Sequence, residues 1–328
     1  MTDSRPFFQE LSLQSSLTQL LQQEIEQQTL SHAYLFSGPA GSGKKSLALR
    51  FAFAILAQSD PNAALFFREG HHPDLLVLSR PEKKNVLTKA QITDELIPWL
   101  GYKPYQAQKK VAVLFDSHVL SPEGANALLK TLEEPPEYAV LILVSDKENL
   151  LETIRSRCRI LRFHPIPEAD MTAFLQKKGC PEEKAREIAL ISRGDISLAL
   201  TFLETDLSVL REKAQKLLQN LQTGGRSAIF PLANALETDG KPLFNFIWIL
   251  LRDQLLYAET GDPSLLLFPT ASAAFSVSPA PRNEVLENWK VIQKLQSYYD
   301  SNLTSETISF LIASALYRCF SEQPQAEN

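Results

Sequence analysis

Residues 32–45 read His32-Ala-Tyr-Leu-Phe-Ser-Gly-Pro-Ala-Gly-Ser-Gly-Lys-Lys45, and this stretch decides the fold. An apolar run of strand length comes first, and a helical pattern from Lys44 to Ala57 follows it. Between them lie three glycines: Gly38, Gly41 and Gly43. With Lys44 they fit the spacing G-x(4)-G-K, in which backbone N–H groups converge on phosphate oxygens and the lysine reaches the terminal phosphates. The strand before and the helix after are the required context, so the stretch predicts a phosphate loop.

The rest of the first half alternates between helical and strand patterns, which is typical of a parallel α/β sheet. The near-continuous apolar runs at 75–78, 111–115 and 140–144 indicate strands that are covered on both faces. The complete set of predicted strands is 32–37, 75–78, 111–115, 140–144 and 160–163.

The strand pattern stops after residue 167, and the remaining apolar positions follow a helical period. We therefore predict a first α/β domain at 1–165, a small helical domain at 166–206 and an all-helical domain at 207–328. One predicted helix face consists of Leu207, Leu210, Ala214, Leu217, Leu218 and Leu221. Further helices are expected at 242–257, 287–299 and 304–320.

Composition limits the classes of function. The 328 residues carry a net charge of −5, so the chain as a whole is not a typical binder of polyanions such as DNA. Three cysteines without a CxxC pair argue against a disulfide framework and against a zinc site. Neither a signal pattern nor a membrane-length apolar run is present, so we expect a cytoplasmic protein without a membrane partner.

The residues around the phosphate loop depart from those of an active ATPase. Lys45 stands where Ser or Thr would bind Mg²⁺, and Ser46 would point about 100° further around the helix. Asp116 ends a strand, where a metal-binding acid is expected, but the next residue is Ser117 and not a glutamate that orients water. We therefore predict a degenerate nucleotide site without a metal, at which ATP or ADP binding stays open and neither is required. Its residues are Gly38, Gly41, Gly43, Lys44, Lys45, Ser46 and Asp116.

Two further segments leave alternatives open. Ser145-Asp146 follows a predicted strand and suits either a sensor of the terminal phosphate or a helix cap. Ile154-Arg-Ser-Arg-Cys-Arg159, with Arg162 nearby, is a local basic cluster. It suits either a solvated strand edge or an arginine that stabilises phosphate charge in a neighbouring subunit. Cys158 is expected to be a small core residue and not a nucleophile.

Together these segments resemble the clamp-loader branch of the AAA+ superfamily, and within it the stator type of subunit. The resemblance extends from about Phe8 to Leu203. The segments that carry it are His32–Gly38, His72-Pro-Asp74, Asn126-Ala-Leu-Leu-Lys-Thr-Leu-Glu-Glu-Pro-Pro136 and Thr153-Ile-Arg-Ser-Arg-Cys158.

The resemblance implies a pentameric ring that opens a sliding clamp and places it on primed DNA. It also implies partners: ATP-binding motor subunits (gamma or tau) and a delta subunit that opens the clamp. Arg157 is then an arginine finger that acts in trans on the adjacent motor subunit. The two helical domains would be the lid and the collar that holds the ring together. Ser197 stands where the family places a second arginine sensor, and the interval 58–71 lacks the cysteines of the family's zinc module, so zinc is not expected.

Three hypotheses compete on these residues. The first is a non-catalytic clamp-loader stator, and the second is a gamma/tau-like motor that hydrolyses ATP. Lys45, Ser117 and Ser197 favour the stator, because each replaces a separate part of the ATP chemistry. The third is an unrelated P-loop enzyme such as a nucleotide kinase, which the helix at 126–136 does not support.

Overall fold

The structure, a computed structural model, describes residues 7–8, 12–81, 86–147, 150–268, 287, 290–291, 294 and 305–319. The chain divides into two compact units. The first consists of Met1–Ala185 and Arg193–Ser197, and the second of Arg186–Ser192 and Leu198–Asn328. The predicted domain boundaries at 165 and 206 stay predictions.

A five-stranded parallel sheet is the centre of the first unit, in the order β2-β3-β4-β1-β5. The strands are β1 (Ala33–Ser37), β2 (Leu75–Leu78), β3 (Lys110–Leu114), β4 (Ala139–Ser145) and β5 (Arg159–Arg162). Each lies within one residue of its predicted bounds, so the predicted α/β class is confirmed. Strand order reverses around β1, and in open α/β sheets ligands bind at the carboxyl ends of strands beside such a reversal.

Helices cover both faces of this sheet: α1 (Ser15–Glu26), α2 (Lys44–Leu56) and α3 (Ala63–Glu69) on one face, and α4 (Ile97–Gly101), α5 (Pro122–Glu133) and α6 (Glu152–Arg155) on the other. After β5 follow α7 (Glu168–Lys177) and α8 (Glu182–Ser192), and α8 belongs to the first unit only as far as Ala185. A 3₁₀ turn at Ser12–Gln14 precedes α1, a π-helical stretch at Gln91–Leu96 leads into α4, and a 3₁₀ turn at Ser117–Val119 follows β3.

Alternate residues of β1 face opposite sides of the sheet. Tyr34 and Phe36 join one apolar cluster, where both rings pack against Phe51 of α2. Ala33 and Leu35 join the cluster on the other face, together with α5. Because side chains alternate along a strand, a strand between two helical layers is apolar except at its ends, which here are Ser37, Lys110 and Ser145. This explains why β1, β3 and β4 are buried throughout.

The prediction that residues 75–78 are covered on both faces is wrong. These residues form β2, the last strand on one edge of the sheet, and Val77 is 40% exposed. The sequence of β2 is as apolar as that of a central strand. Val77 is open to solvent because β2 lies at the edge of the sheet.

The second unit is helical in the part that the structure describes. Its helices after α8 are α9 (Ile196–Glu204, of which Leu198 onward belongs to this unit), α10 (Leu207–Thr223), α11 (Ile229–Thr260) and α12 (Ser305–Arg318). All six residues of the predicted face of α10 are buried, and the Asp206 carboxylate caps its start by accepting from Ser208 N at 3.0 Å. The predicted helix at 242–257 is the second half of α11, after a break at Gly240.

Part of the C-terminal prediction falls outside the described residues. Of the helix expected at 287–299, only residues 287, 290–291 and 294 are described, and the ends of the one expected at 304–320 are outside as well. No helix in the described ranges is long and apolar enough to span a membrane.

Candidate nucleotide site and arginine cluster

The phosphate loop, residues 38–44, connects the carboxyl end of β1 with the start of α2. Gly41 has a positive φ of 75°, and a Cβ atom there would lie 2.0 Å from the Asp195 carboxyl carbon. Gly38 is equally constrained, because its Cβ would lie 2.3 Å from the Phe163 carbonyl oxygen. The predicted loop geometry is therefore present, and these two glycines are needed for close packing as well as for backbone conformation.

Lys44 is folded back into the loop. Its ammonium donates to the Pro39 carbonyl at 2.5 Å and to Ser42 Oγ at 3.1 Å, and it forms an ion pair with Asp146 at 2.9 Å. The side chain is 2% exposed, and burial lowers the pKa of Lys44, whereas Asp146 opposes that shift. All three acceptors come from the protein itself, so the lysine expected to reach phosphates is already fully coordinated.

Asp146 thus has a role other than the two predicted alternatives, a sensor of the terminal phosphate or a helix cap. Its carboxylate pairs with Lys44, and its backbone N–H donates to His118 Nδ1 at 3.3 Å. Ser145 donates to the Lys147 carbonyl at 2.5 Å, which closes a turn after β4. The next helix in the described ranges, α6, starts only at Glu152 and has Leu151 as its N-cap. The helix-cap alternative is therefore excluded.

Lys45 and Asp116 meet at the same end of the sheet. Lys45 Nζ lies 2.9 Å from Asp116 Oδ1 and 5.3 Å from the centre of the Phe115 ring. Asp116 has φ 55°, a left-handed conformation, and its side chain is 16% exposed. Ser46, next along α2, is exposed. These residues do not fit Mg²⁺, because an ammonium stands in place of a hydroxyl ligand and already neutralises the carboxylate.

Ser117 is a buried structural residue. Its side chain is fully buried, and its hydroxyl donates to the Val144 carbonyl of β4 at 2.9 Å. A hydroxyl held in this way provides neither the charge nor the position to align an attacking water molecule. The serine seen in the sequence is therefore also a structural contact between the 3₁₀ turn at Ser117–Val119 and β4.

Two contacts of the phosphate loop were missed by the sequence analysis. Ile196 N donates to the Gly41 carbonyl at 2.8 Å, in the segment that also contains the exposed Ser197. Gln14 Nε2 lies 3.2 Å from both the Ser42 and the His164 carbonyl oxygens. For the first contact, the Gly-Asp pair at 194–195 is a turn signal in the sequence. For the second there was no signal, because a lone glutamine before a helix forms no pattern.

The arginine cluster, residues 155–162, lies between α6 and β5 and at β5 itself. Arg157 pairs with Glu133 of α5 at 2.7 Å and donates to the Thr153 carbonyl at 2.9 Å. Its side chain is 35% exposed and that of Glu133 is 50% exposed. Two of the segments that carry the resemblance, 126–136 and 153–158, are therefore in contact through this ion pair.

The other members of the cluster differ in their surroundings. Arg155 pairs with Glu152 at 3.2 Å, one turn earlier on α6. Arg159 pairs at 2.7 Å with the buried Glu24, which also accepts a hydrogen bond from the Tyr34 hydroxyl at 2.6 Å. Burial raises the pKa of the Cys158 thiol to about 12, which supports the interpretation that it is not a nucleophile. The cluster is therefore not one continuous free basic patch.

His72 has a structural role. Its Nδ1 accepts from Asp74 N at 2.9 Å, so Nε2 carries the proton and donates to Asp60 at 2.9 Å. The buried Asp74 carboxylate in turn accepts from the backbone N–H groups of residues 105, 106 and 107 at 2.6–2.8 Å. Within the described ranges, no group of three or more His, Cys, Asp or Glu side chains is placed to hold a metal ion. The absence of zinc stays a prediction.

The relatives found by sequence are subunits of DNA polymerase III. A family described as DNA polymerase III, delta subunit, matches residues 13–167. DNA polymerase III subunit delta′ of Pseudomonas aeruginosa is 31% identical over 251 residues, which cover 70% of this chain and 75% of that protein. Subunit delta′ of Bacillus subtilis is 29% identical, covering 78% and 75%. Subunit tau of Bacillus subtilis is also 29% identical, but only 50% of its length is covered. A solved gamma subunit-related protein of Thermotoga maritima is 19% identical, covers 92% of this chain and 99% of that chain, and has a TM-score of 0.48.

Proposed function

The chain belongs to the family of DNA polymerase III delta′ subunits, and from this membership we propose that it is a clamp-loader stator that does not itself hydrolyse ATP. Membership of this family makes the chain a delta′-type subunit of the DNA polymerase III clamp loader. The loss of hydrolysis and the role of a stator are the proposed part.

The observation that carries this proposal is Ser117. An ATPase of this class needs a carboxylate beside Asp116 to orient water, and here the position holds a buried hydroxyl bonded to Val144. Lys44, coordinated by Asp146 and by its own loop, and the Lys45–Asp116 ion pair support the same conclusion. Three separate parts of the ATP chemistry are therefore altered.

We further propose that Arg157 acts in trans on a neighbouring gamma or tau subunit. A guanidinium is permanently charged and planar, which suits it to the charge that develops on a transferring phosphoryl group. Arg157 is partly exposed, and its partner Glu133 is more exposed still, so the ion pair contributes only about 0–1 kcal/mol. Such a weak pair orients the guanidinium and still allows Arg157 to exchange the Glu133 carboxylate for a phosphate group.

The partners follow from this role. We propose that the chain assembles with gamma/tau and delta subunits in the cytoplasm and meets the sliding clamp and primed DNA through that complex. The proposed roles of the helical segments, as lid at 166–206 and collar at 207–328, belong to the same proposal. Neither ATP, ADP nor zinc is required by this chain in that role.

A gamma/tau-like motor is the second candidate, because the phosphate loop itself keeps its glycines and Lys44. A tau/gamma subunit of Haemophilus influenzae is 38% identical over 149 residues, although these cover only 21% of it. Ser117 and Lys45 argue against this candidate, since no side chain at either position provides what hydrolysis needs.

The test is the DNA- and clamp-stimulated ATPase of a reconstituted loader that contains Arg157→Ala. Loss of an arginine finger lowers turnover by ~10³ or more at the site it serves. The assembled complex should therefore lose the share of hydrolysis contributed by the adjacent motor subunit. Arg155→Ala is the matched control, because Arg155 lies in the same cluster and forms its ion pair with Glu152 of its own helix.

Assembly of the ring is checked separately by size-exclusion chromatography. An intact ring with normal ATPase in the Arg157→Ala loader contradicts the trans role. Normal ATPase in that loader, combined with a large loss on Lys44→Ala, would favour the motor candidate instead.

A further inference from the structure

Two residues that would be expected to bind a divalent cation in this site pair with each other instead. In P-loop nucleotide sites, Mg²⁺ is held by a hydroxyl from the residue after the loop lysine and by the acid at the end of the strand. In this chain those two residues are Lys45 and Asp116, and they contact each other directly at 2.9 Å.

The Lys45 ammonium is held in a defined place. On one side it contacts the Asp116 carboxylate, and on the other it lies 5.3 Å from the centre of the Phe115 ring, within range of a cation–π contact. Asp116 is fixed as well, since its backbone is left-handed and its carbonyl accepts from Val119 N at 2.9 Å. The Lys45 side chain is 52% exposed, but its ammonium contacts a carboxylate whose side chain is only 16% exposed.

Two ion pairs lie at the loop. Lys44 pairs with Asp146, and Lys45 pairs with Asp116, while the Asp195 carboxylate is also near enough to act on Lys44. The two lysines are close enough for Lys45 to lower the pKa of Lys44, after the larger effect of burial. A divalent cation brought to Asp116 would add two positive charges beside both ammonium groups, and Coulomb repulsion disfavours it.

We propose that the Lys45 ammonium is a built-in replacement for Mg²⁺ and that it excludes divalent cations from this site. An ammonium supplies one charge and three N–H donors at hydrogen-bond distance, whereas Mg²⁺ requires six oxygen ligands at close range. Lys45 is therefore the residue that sets the cation specificity of the loop. This inference deepens the proposed loss of ATP hydrolysis, but it concerns the loop of the isolated chain alone.

The experiment is a titration of the isolated full chain with Mn²⁺ alone, followed by the electron paramagnetic resonance signal of the free ion. Lys45→Thr restores a hydroxyl ligand and releases Asp116, so it should bind Mn²⁺ at least about tenfold more tightly than the unmodified chain. Lys45→Met releases Asp116 without adding a ligand and should fall between them. Lys45→Arg keeps a cation beside the carboxylate and should behave as the unmodified chain does.

The double variant Lys45→Thr/Asp116→Asn corrects for Mn²⁺ bound elsewhere, and circular dichroism confirms the fold of each variant. The inference is overturned if the unmodified chain binds Mn²⁺ at this site as tightly as Lys45→Thr. It is equally overturned if a folded Lys45→Thr gains no binding, because Lys45 is then not what excludes the cation. Neither result depends on an assembled loader, so a failure here is separate from a failure of the Arg157 test.

Discussion

The phosphate loop and the arginine cluster are both rich in positive charge, but they place it differently. In the loop, Lys44 is 2% exposed and has three acceptors from its own chain. In the cluster, Arg157 is 35% exposed and its carboxylate partner is itself half exposed. Breaking the contacts of Lys44 means removing a charge from a buried network, whereas Arg157 can exchange one surface partner for another. The comparison indicates that the Arg157 guanidinium is available to a partner and the Lys44 ammonium is not.

The largest expected difference between the two regions is in the ATPase of the assembled loader. Arg157→Lys keeps the charge but loses the planar guanidinium, so we expect turnover at the adjacent motor site to fall by ~10² or more. Lys44→Ala should change the loader ATPase by less than about twofold, because this chain is proposed not to hydrolyse ATP. Steady-state ATPase assays on matched reconstitutions measure both. A larger loss from the loop variant would reverse the comparison.

Cys158 shows whether the arginine cluster lowers the pKa of a thiol that lies within it. Although it lies between Arg157 and Arg159, burial raises the pKa of its thiol to about 12, so the thiol stays protonated at neutral and mildly alkaline pH. In the folded chain at pH 8, alkylation by iodoacetamide should be at least about 100-fold slower than in the urea-unfolded chain. Peptide mass spectrometry at timed intervals follows the site. Rapid labelling of the folded chain would mean that the arginines, and not burial, control this thiol.

The same pKa shift has a consequence for stability. Because the folded-state pKa lies above the ordinary value of 9.0, the folded chain holds this proton where the unfolded chain has lost it. The contribution of Cys158 is therefore fully present below pH 9.0 and is lost as the pH rises toward about 12.

Glu133 is the residue with which we test whether the orientation of Arg157 matters for the loader ATPase. Glu133→Gln removes the carboxylate that lies 2.7 Å from the guanidinium, so Arg157 should sample more orientations. We expect kcat of the assembled loader to fall by no more than about fivefold with an unchanged KM for ATP, because the exposed pair is worth at most about 1 kcal/mol. Glu134→Gln, the neighbouring exposed acid on the same segment, is the control. Equal effects of the two variants would remove Glu133 from the role of positioning residue.

The smallest expected effect comes from Ser117, which is buried near the phosphate loop. Ser117→Ala removes the hydroxyl that donates to Val144 and should lower the free energy of unfolding by about 1 kcal/mol, with no change in loader ATPase. Ser46→Ala, at an exposed position of α2, should change it by less than about 0.5 kcal/mol. Urea denaturation measures both, and a loss of ATPase on Ser117→Ala would assign this residue to the chemistry.

The strands and the phosphate loop were predictable, because local patterns carry them. A strand between two helical layers is apolar except at its ends, and a tight loop needs glycine where φ is positive. The same reasoning predicted the buried face of α10, since its six apolar residues recur at the helical period. It failed at β2, where an apolar run lies at the edge of the sheet and Val77 is exposed.

The partners of the charged side chains were not predictable. The sequence shows Arg155, Arg157 and Arg159 as one cluster, but the structure pairs them with three different acids: Glu152, Glu133 and Glu24. Two of these acids lie far along the chain, on α5 and α1. Distance along the sequence says nothing about such contacts, because folding brings together segments that share no pattern.

The sequence by itself determined the sheet, the glycine loop and the absence of a catalytic carboxylate at Ser117, since each depends on the type of residue at one position or on a short repeat of apolar residues. Only the tertiary structure decided that Lys45 pairs with Asp116, that Asp146 holds Lys44 and that Arg157 rests on Glu133. Electrostatic interactions fall off with distance in space, and that distance is set by the packing of the strands and helices that carry each charge.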